Sequence, residues 1–87
     1  MSYSVEYEPE AVADLERLTQ AARERVINKI TWLAENFDQI TPQALTADLS
    51  VFFKLRVGDY RVIYEFSRDD EVISIDRIRH RREVYGY

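Results

Sequence analysis

Apolar positions change their period along this chain, and each change marks an element. From Tyr3 to Tyr7 apolar and polar residues alternate around Val5, the two-residue period of a half-buried strand. Pro9 suits the first turn of a helix, and Ala11, Leu15, Leu18 and Ala22 follow at helical spacing. That pattern turns Asp14, Glu16 and Arg17 outward. Thr19 is placed to cap a second helix, whose apolar stripe is Val26, Ile27, Ile30, Leu33, Ala34 and Phe37, with Trp32 at its edge. Two helices this close in sequence predict an antiparallel helix hairpin. Asn36 to Leu49 reads as a loop, because Pro42 excludes a continuous helix.

The period returns to two on both sides of Gly58-Asp59, a two-residue loop that signals a β-hairpin. Register follows from the loop. Val57 faces Tyr60, Leu55 faces Val62, Phe53 faces Tyr64 and Val51 faces Phe66, an all-apolar side that belongs in the core. The other side pairs Arg56 with Arg61, Lys54 with Ile63 and Phe52 with Glu65. Like charges directly opposite each other destabilise a sheet. Arg56 against Arg61, with Lys54 diagonal to Arg61, therefore points to an anion-binding face. A solvated face with Glu65 as a neutralising partner is the plainer alternative, since exposed ion pairs are common and weak.

Ser67 to Glu71 is an acidic turn, and a last strand runs from Val72 to about Arg79. Its pattern slips: Ile73 and Ile75 share one parity and Ile78 has the other. A bulge near Asp76-Arg77 accounts for the slip; a strand end covered on both faces would also do so. The order strand, two helices, three strands predicts an α+β fold. It comprises an N-terminal strand, a helix hairpin and a three-stranded antiparallel meander, with the helices on one face of the sheet.

Composition bounds the rest. With 87 residues, residues 1–87 form one domain. No cysteine is present, which removes disulfides and thiol chemistry and suits a reducing cytoplasm. One histidine and no cysteine cannot make an ordinary zinc site, and no glycine-rich phosphate loop or nucleophile elbow is visible. No metal or other cofactor is therefore expected. No signal peptide and no membrane-spanning run are expected either. The net charge of −4 is unevenly spread. Residues 1–50 carry nine acidic and four basic side chains, whereas residues 51–87 carry seven acidic and eight basic. Four of the six residues from Arg77 to Arg82 are arginine, the side chain best shaped for bidentate phosphate recognition. A local anion site on an acidic protein is the implication.

Two segments resemble a known family. Lys54-Leu-Arg-Val-Gly-Asp-Tyr-Arg-Val-Ile-Tyr-Glu65 and the ending His80-Arg-Arg-Glu-Val-Tyr85, in this element order, resemble the RelE/ParE superfamily of bacterial toxins from toxin–antitoxin pairs. The ending is most like that of its RelE ribonuclease branch. The resemblance implies a metal-independent endoribonuclease that cleaves messenger RNA at the ribosome in the cytoplasm. A cognate antitoxin would hold it inactive in a hetero-oligomer. It implies catalytic roles for Lys54, Arg61, His80, Arg81 and Tyr85. Phe52 stands where the best-studied branch has a second lysine, and the chain lacks the leucine–glycine step before the second strand of the family pattern.

The residues carry a matching chemistry. Cleaving RNA without a metal requires deprotonation of the 2′-hydroxyl, stabilisation of the phosphorane and protonation of the leaving 5′-oxygen. Arg61 and Arg81 suit the second task, with Arg56, Arg79 and Arg82 as further phosphate contacts. His80 suits proton transfer near neutrality; it is equally explained as a plain strand-end residue. Tyr85 can stack on a base or exchange a proton, or serve as a packing anchor. Lys54 can stabilise charge or act as base. Two other functions fit the same fold: gyrase poisoning without RNA cleavage, as in the ParE branch, and a degenerate toxin that only binds its antitoxin.

Overall fold

A computed structural model describes residues 2–45 and 51–84. Nine elements follow one another: β1 (Ser4–Tyr7), α1 (Pro9–Glu16), α2 (Gln20–Glu35), a 3₁₀ turn (Phe37–Gln39), β2 (Gln43–Ala44), β3 (Phe53–Val57), β4 (Tyr60–Ser67), β5 (Val72–His80) and the short α3 (Arg81–Val84). The strands form one sheet in the order β1-β5-β4-β3-β2. β1 runs parallel to β5, and every other neighbouring pair is antiparallel. The α+β class, the helix pair and the meander are as the sequence predicts; the stretch read as a loop instead contains the 3₁₀ turn and β2 within its described part.

Local chemistry explains the boundaries. The Ala22 N–H donates to Thr19 Oγ1 at 3.2 Å, so Thr19 caps α2. Arg23 reaches back from α2 and donates to the carbonyls of Leu15 (2.9 Å) and Leu18 (3.0 Å). Leu15 lies in the last turn of α1 and Leu18 in the turn between the helices, so this side chain ties the two helices together. Gly58 adopts φ 58°, and a Cβ there would sit 2.8 Å from the Arg25 guanidinium. The positive φ is what calls for glycine in this turn, since the Arg25 guanidinium ends a flexible side chain that can move aside.

The core lies between the helices and one face of the sheet. Ala11, Leu15, Val26, Ile30, Leu33 and Phe37 meet Val57, Val62, Tyr64, Ile73, Ile75 and Ile78. Phe37 anchors an aromatic group, with ring centroids 4.8 Å from Tyr3 and 4.7 Å from Phe66. Three expectations of the periodicity are corrected. Ile27 is 37% exposed and lies off the buried stripe of α2. Val51 is 58% exposed, because β3–β4 pairing ends at Phe53↔Tyr64 and does not extend to Phe66. Asp14 points inward and is 5% exposed.

Asp14 earns that position through partners far away in sequence. It accepts from Arg77 Nε at 2.8 Å, Arg77 Nη2 at 3.2 Å and the Ile78 backbone N–H at 3.0 Å. β1 pairs with β5 only as far as Tyr7↔Ile75, so the Ile78 N–H donates to a carboxylate where a strand has run out. Burial alone would raise the Asp14 carboxyl, but the hydrogen bonds from Arg77 and Ile78 and the charges of Arg77 and Arg17 outweigh it and hold the carboxyl below its usual range.

Candidate functional site

The β3–β4 register is as predicted, including Arg56↔Arg61 and Lys54↔Ile63. β5 extends it: Arg61↔Arg79 and Ile63↔Arg77. Directly opposed residues share a face, so Arg56, Arg61 and Arg79 form one row across three strands. Neighbouring strands lie about 4.8 Å apart. Lys54, Ile63 and Arg77 form the next row on the same face, which is the face away from the core. Arg61 is half-buried, and its Nε is buried with no hydrogen-bond partner among the described residues. A buried donor of this kind needs an acceptor, and an oxyanion set against the row supplies one.

The register also shows why the row exists. β4 and β5 slip between Ile63 and Tyr64, whose partners are Arg77 and Ile75. Asp76 is therefore the extra residue of a bulge. The bulge predicted from the parity of Ile75 and Ile78 is present, and it keeps both isoleucines in the core while turning Arg77 and Arg79 to the open face.

The remaining predicted site residues divide. His80 pairs with Tyr60 and so lies on the helix-side face of the sheet. Its ring stands edge-on to Tyr60, with centroids 5.4 Å apart. The Arg82 N–H donates to His80 Nδ1 at 3.3 Å. Arg81 begins α3 beside the hairpin turn. Its N–H donates to the Asp59 carbonyl at 2.7 Å, and its guanidinium stands 3.9 Å from the Asp59 carboxylate. Arg82 is exposed. Tyr85 lies outside the described residues. The described geometry thus unites Lys54, Arg56, Arg61 and Arg79 on one face, and sets His80, Arg81 and Arg82 around the end of β5. Arg77 is a partner of Asp14.

Beyond the cationic rows the open face becomes acidic. A concavity of about 340 Å³ is floored by Leu45, Phe52 and Ile63 and walled by Glu8, Glu10, Glu65, Asp76 and Arg77. Ile63 is 2% exposed yet lies outside the main core. Burial, a hydrogen bond with Glu65, and the charges of Glu65, Glu8 and Glu10 push the Asp76 carboxyl up to about 7. Nothing in the primary order brings Glu8, Glu10 and Asp76 to Glu65.

This shift has a testable sign. A carboxyl raised on folding stabilises the folded state while protonated, and that contribution is lost as pH rises from the ordinary value of 3.8 to about 7. Asp76→Asn removes the loss. The variant should melt above the parent at pH 8, with the gap closing towards pH 4. Thermal melts followed by circular dichroism at the two pH values check this; an equal gap at both would remove Asp76 ionisation as its cause.

Comparison with known proteins places the fold. The family described as the ParE toxin of type II toxin–antitoxin systems matches residues 5–85. No curated protein sequence matches. Among solved structures, the toxin–antitoxin complex RelBE2 of Mycobacterium tuberculosis matches with TM-score 0.81 and 23% identity, over 92% of each chain. The archaeal RelE–RelB complex of Pyrococcus horikoshii matches with TM-score 0.73 and 29% identity, over 93% of this chain and 97% of that one. A chromosomal ParDE system of P. aeruginosa matches with TM-score 0.72 and 14% identity, over 91% and 96%.

Proposed function

This chain belongs to the ParE toxin family of type II toxin–antitoxin systems, within the RelE/ParE superfamily, and from that premise we propose that it is an endoribonuclease that arrests growth by cutting messenger RNA on the ribosome. The observation that carries the reading is the row Arg56–Arg61–Arg79 with the orphaned Arg61 Nε at its centre. Guanidinium groups in a row match the oxygens of a phosphorane. Arg61 and Arg79 stabilise the charge that develops as the 2′-oxygen attacks phosphorus. Arg56, at the exposed end, and Arg82 draw the strand in. Lys54 lies on the same face, two residues from Arg56, and stabilises charge or exchanges a proton there. His80 serves proton transfer from the end of β5, joined by Arg81 and Tyr85. No cofactor is required by this scheme.

The partner follows from the family. A cognate antitoxin binds the toxin, as the RelBE2 and RelE–RelB complexes do in the structures this chain resembles. A second reading has its own support: the family match is to ParE toxins and one structural match is to a ParDE system. In that reading the arginine row binds gyrase and cuts nothing. Inducing the protein in bacteria, mapping new RNA 5′ ends and assaying gyrase-linked DNA breaks in the same cells separates the two. Codon-phased cuts within translated messages are the expected result. DNA breaks with intact messages would replace the ribonuclease reading with the gyrase one.

A further inference from the structure

Resting on the reading of this chain as one half of a toxin–antitoxin pair, we propose that the acidic concavity on the open sheet face is a socket for an arginine side chain of the antitoxin. Its flanking apolar residues would rest on Phe52, Leu45 and Ile63.

Three independent features define the ligand. The first is shape: a concavity of about 340 Å³ with an apolar floor is larger than an ion and fits one long side chain with its neighbours. The second is charge. Glu8, Glu10, Glu65 and Asp76 ring the floor, and Arg77, the one cation lining it among the described residues, already donates through Nε and Nη2 to Asp14. The third is an acceptor with capacity to spare: the Asp76 carboxyl shares a hydrogen bond with Glu65 only when one of the two is protonated, and its buried Oδ2 receives no N–H or O–H from another residue among those described. A point cation is a poor match, since no three acidic or histidine side chains among the described residues are grouped as a metal site. The carboxylates are spread around a rim. A guanidinium suits a rim, because its five N–H donors fan out in one plane and can reach two carboxylates while the plane stacks on an aromatic ring such as Phe52. The antitoxin segment is therefore two-signed. Acidic residues would lie over Lys54, Arg56 and Arg61, and an arginine with apolar flanks would lie over Glu65 and Asp76, fixing direction as well as affinity.

The groups facing Asp76 also make the contact pH-sensitive. Glu65 from β4, Glu8 and Glu10 from the start of α1 and Arg77 from β5 surround it. A bound guanidinium favours the ionised form, so affinity should rise with pH through neutrality.

The test uses the full-length chain and two probes, its cognate antitoxin and the peptide acetyl-Leu-Arg-Leu-amide. Glu65→Gln combined with Asp76→Asn keeps shape and removes repulsion, so the variant should fold and still arrest growth. Its antitoxin affinity should fall by about thirty-fold or more, the scale for removing one side of a desolvated charge pair. The peptide should shift the Glu65 and Asp76 amide resonances of the parent and not those of the variant. Its citrulline counterpart should shift neither protein. Antitoxin affinity unchanged in the variant, or equal shifts from arginine and citrulline peptides, overturns the proposal. So does a concentration-dependent dimer of the parent that the variant lacks, which would assign the socket to a second copy of this chain. Growth arrest on induction, relieved by the antitoxin, tests the underlying toxin reading separately from all of these.

Discussion

Asp14→Ala should be the most destabilising substitution of a charged residue in this protein. It removes the acceptor of two Arg77 bonds and of the Ile78 N–H, and it leaves an arginine and a backbone donor at the edge where β1 ends. Removing one partner of a buried pair costs about 3–5 kcal/mol. Arg77 is 29% exposed, so water compensates part of the loss and the lower end, about 3 kcal/mol, is expected. For a domain of this size that corresponds to a fall in Tm of about 10–20 °C, and it is a large share of a total stability of about 5–15 kcal/mol. The pH dependence has a fixed sign. Asp14 is held below its ordinary value of 3.8, so its contribution is present above that value and is lost as pH falls through it. The difference between parent and variant should shrink in acid. Denaturant titrations at pH 7 and pH 3 check both points; a variant as stable as the parent at pH 7 would show that the Arg77 contact contributes nothing.

Arg61→Ala should act on activity and spare the fold. Arg61 stands between Arg56 and Arg79 on neighbouring strands, so truncating it relieves repulsion between like charges. The variant should melt no lower than the parent. Its cleavage rate should nevertheless fall about a hundred- to a thousand-fold, the usual effect of deleting one group that stabilises transition-state charge. Arg79→Ala should behave similarly, and Arg56→Ala, at the exposed end of the row, should cost less. The combination of higher or equal Tm with lost activity separates a substrate contact from a packing role. Full activity in a folded Arg61→Ala protein would dismiss the row as a catalytic feature.

The cationic face was legible because two strong local rules act together there. A two-residue turn at Gly58-Asp59 sets the register, and strict alternation around it assigns every side chain to a face, so Arg56 and Arg61 had to oppose each other. The parity slip between Ile75 and Ile78 likewise pointed to a bulge near Asp76-Arg77, and the register puts it at Asp76. What the bulge does was less visible. It turns Arg79 into line with Arg61, which gives a residue expected only as a phosphate contact a place in the row beside Arg61.

Polar residues that face inward escaped the periodicity. Asp14 lies at helical spacing from Ala11 and was assigned to solvent because it is charged; its partner Arg77 is 63 residues away, and only the end of β1 explains the contact. The acidic socket was hidden for a related reason. Glu8 and Glu10 join Glu65 and Asp76 through the parallel pairing of β1 with β5, a long-range arrangement with no local signal. β2 is two residues long, too short to show a period. Val51 and Ile27 continue apolar patterns past the point where tertiary packing uses them.

The central claim is that the arginine row holds a phosphate while RNA is cut. Single-turnover cleavage of a short messenger on purified ribosomes, by the parent chain and by Arg61→Ala at matched protein concentration, tests it most directly. Discrete cuts by the parent at the ribosomal codon, slowed about a hundred-fold or more in the variant, are the predicted result. An intact messenger with the parent chain under conditions where the same preparation arrests gyrase would contradict it.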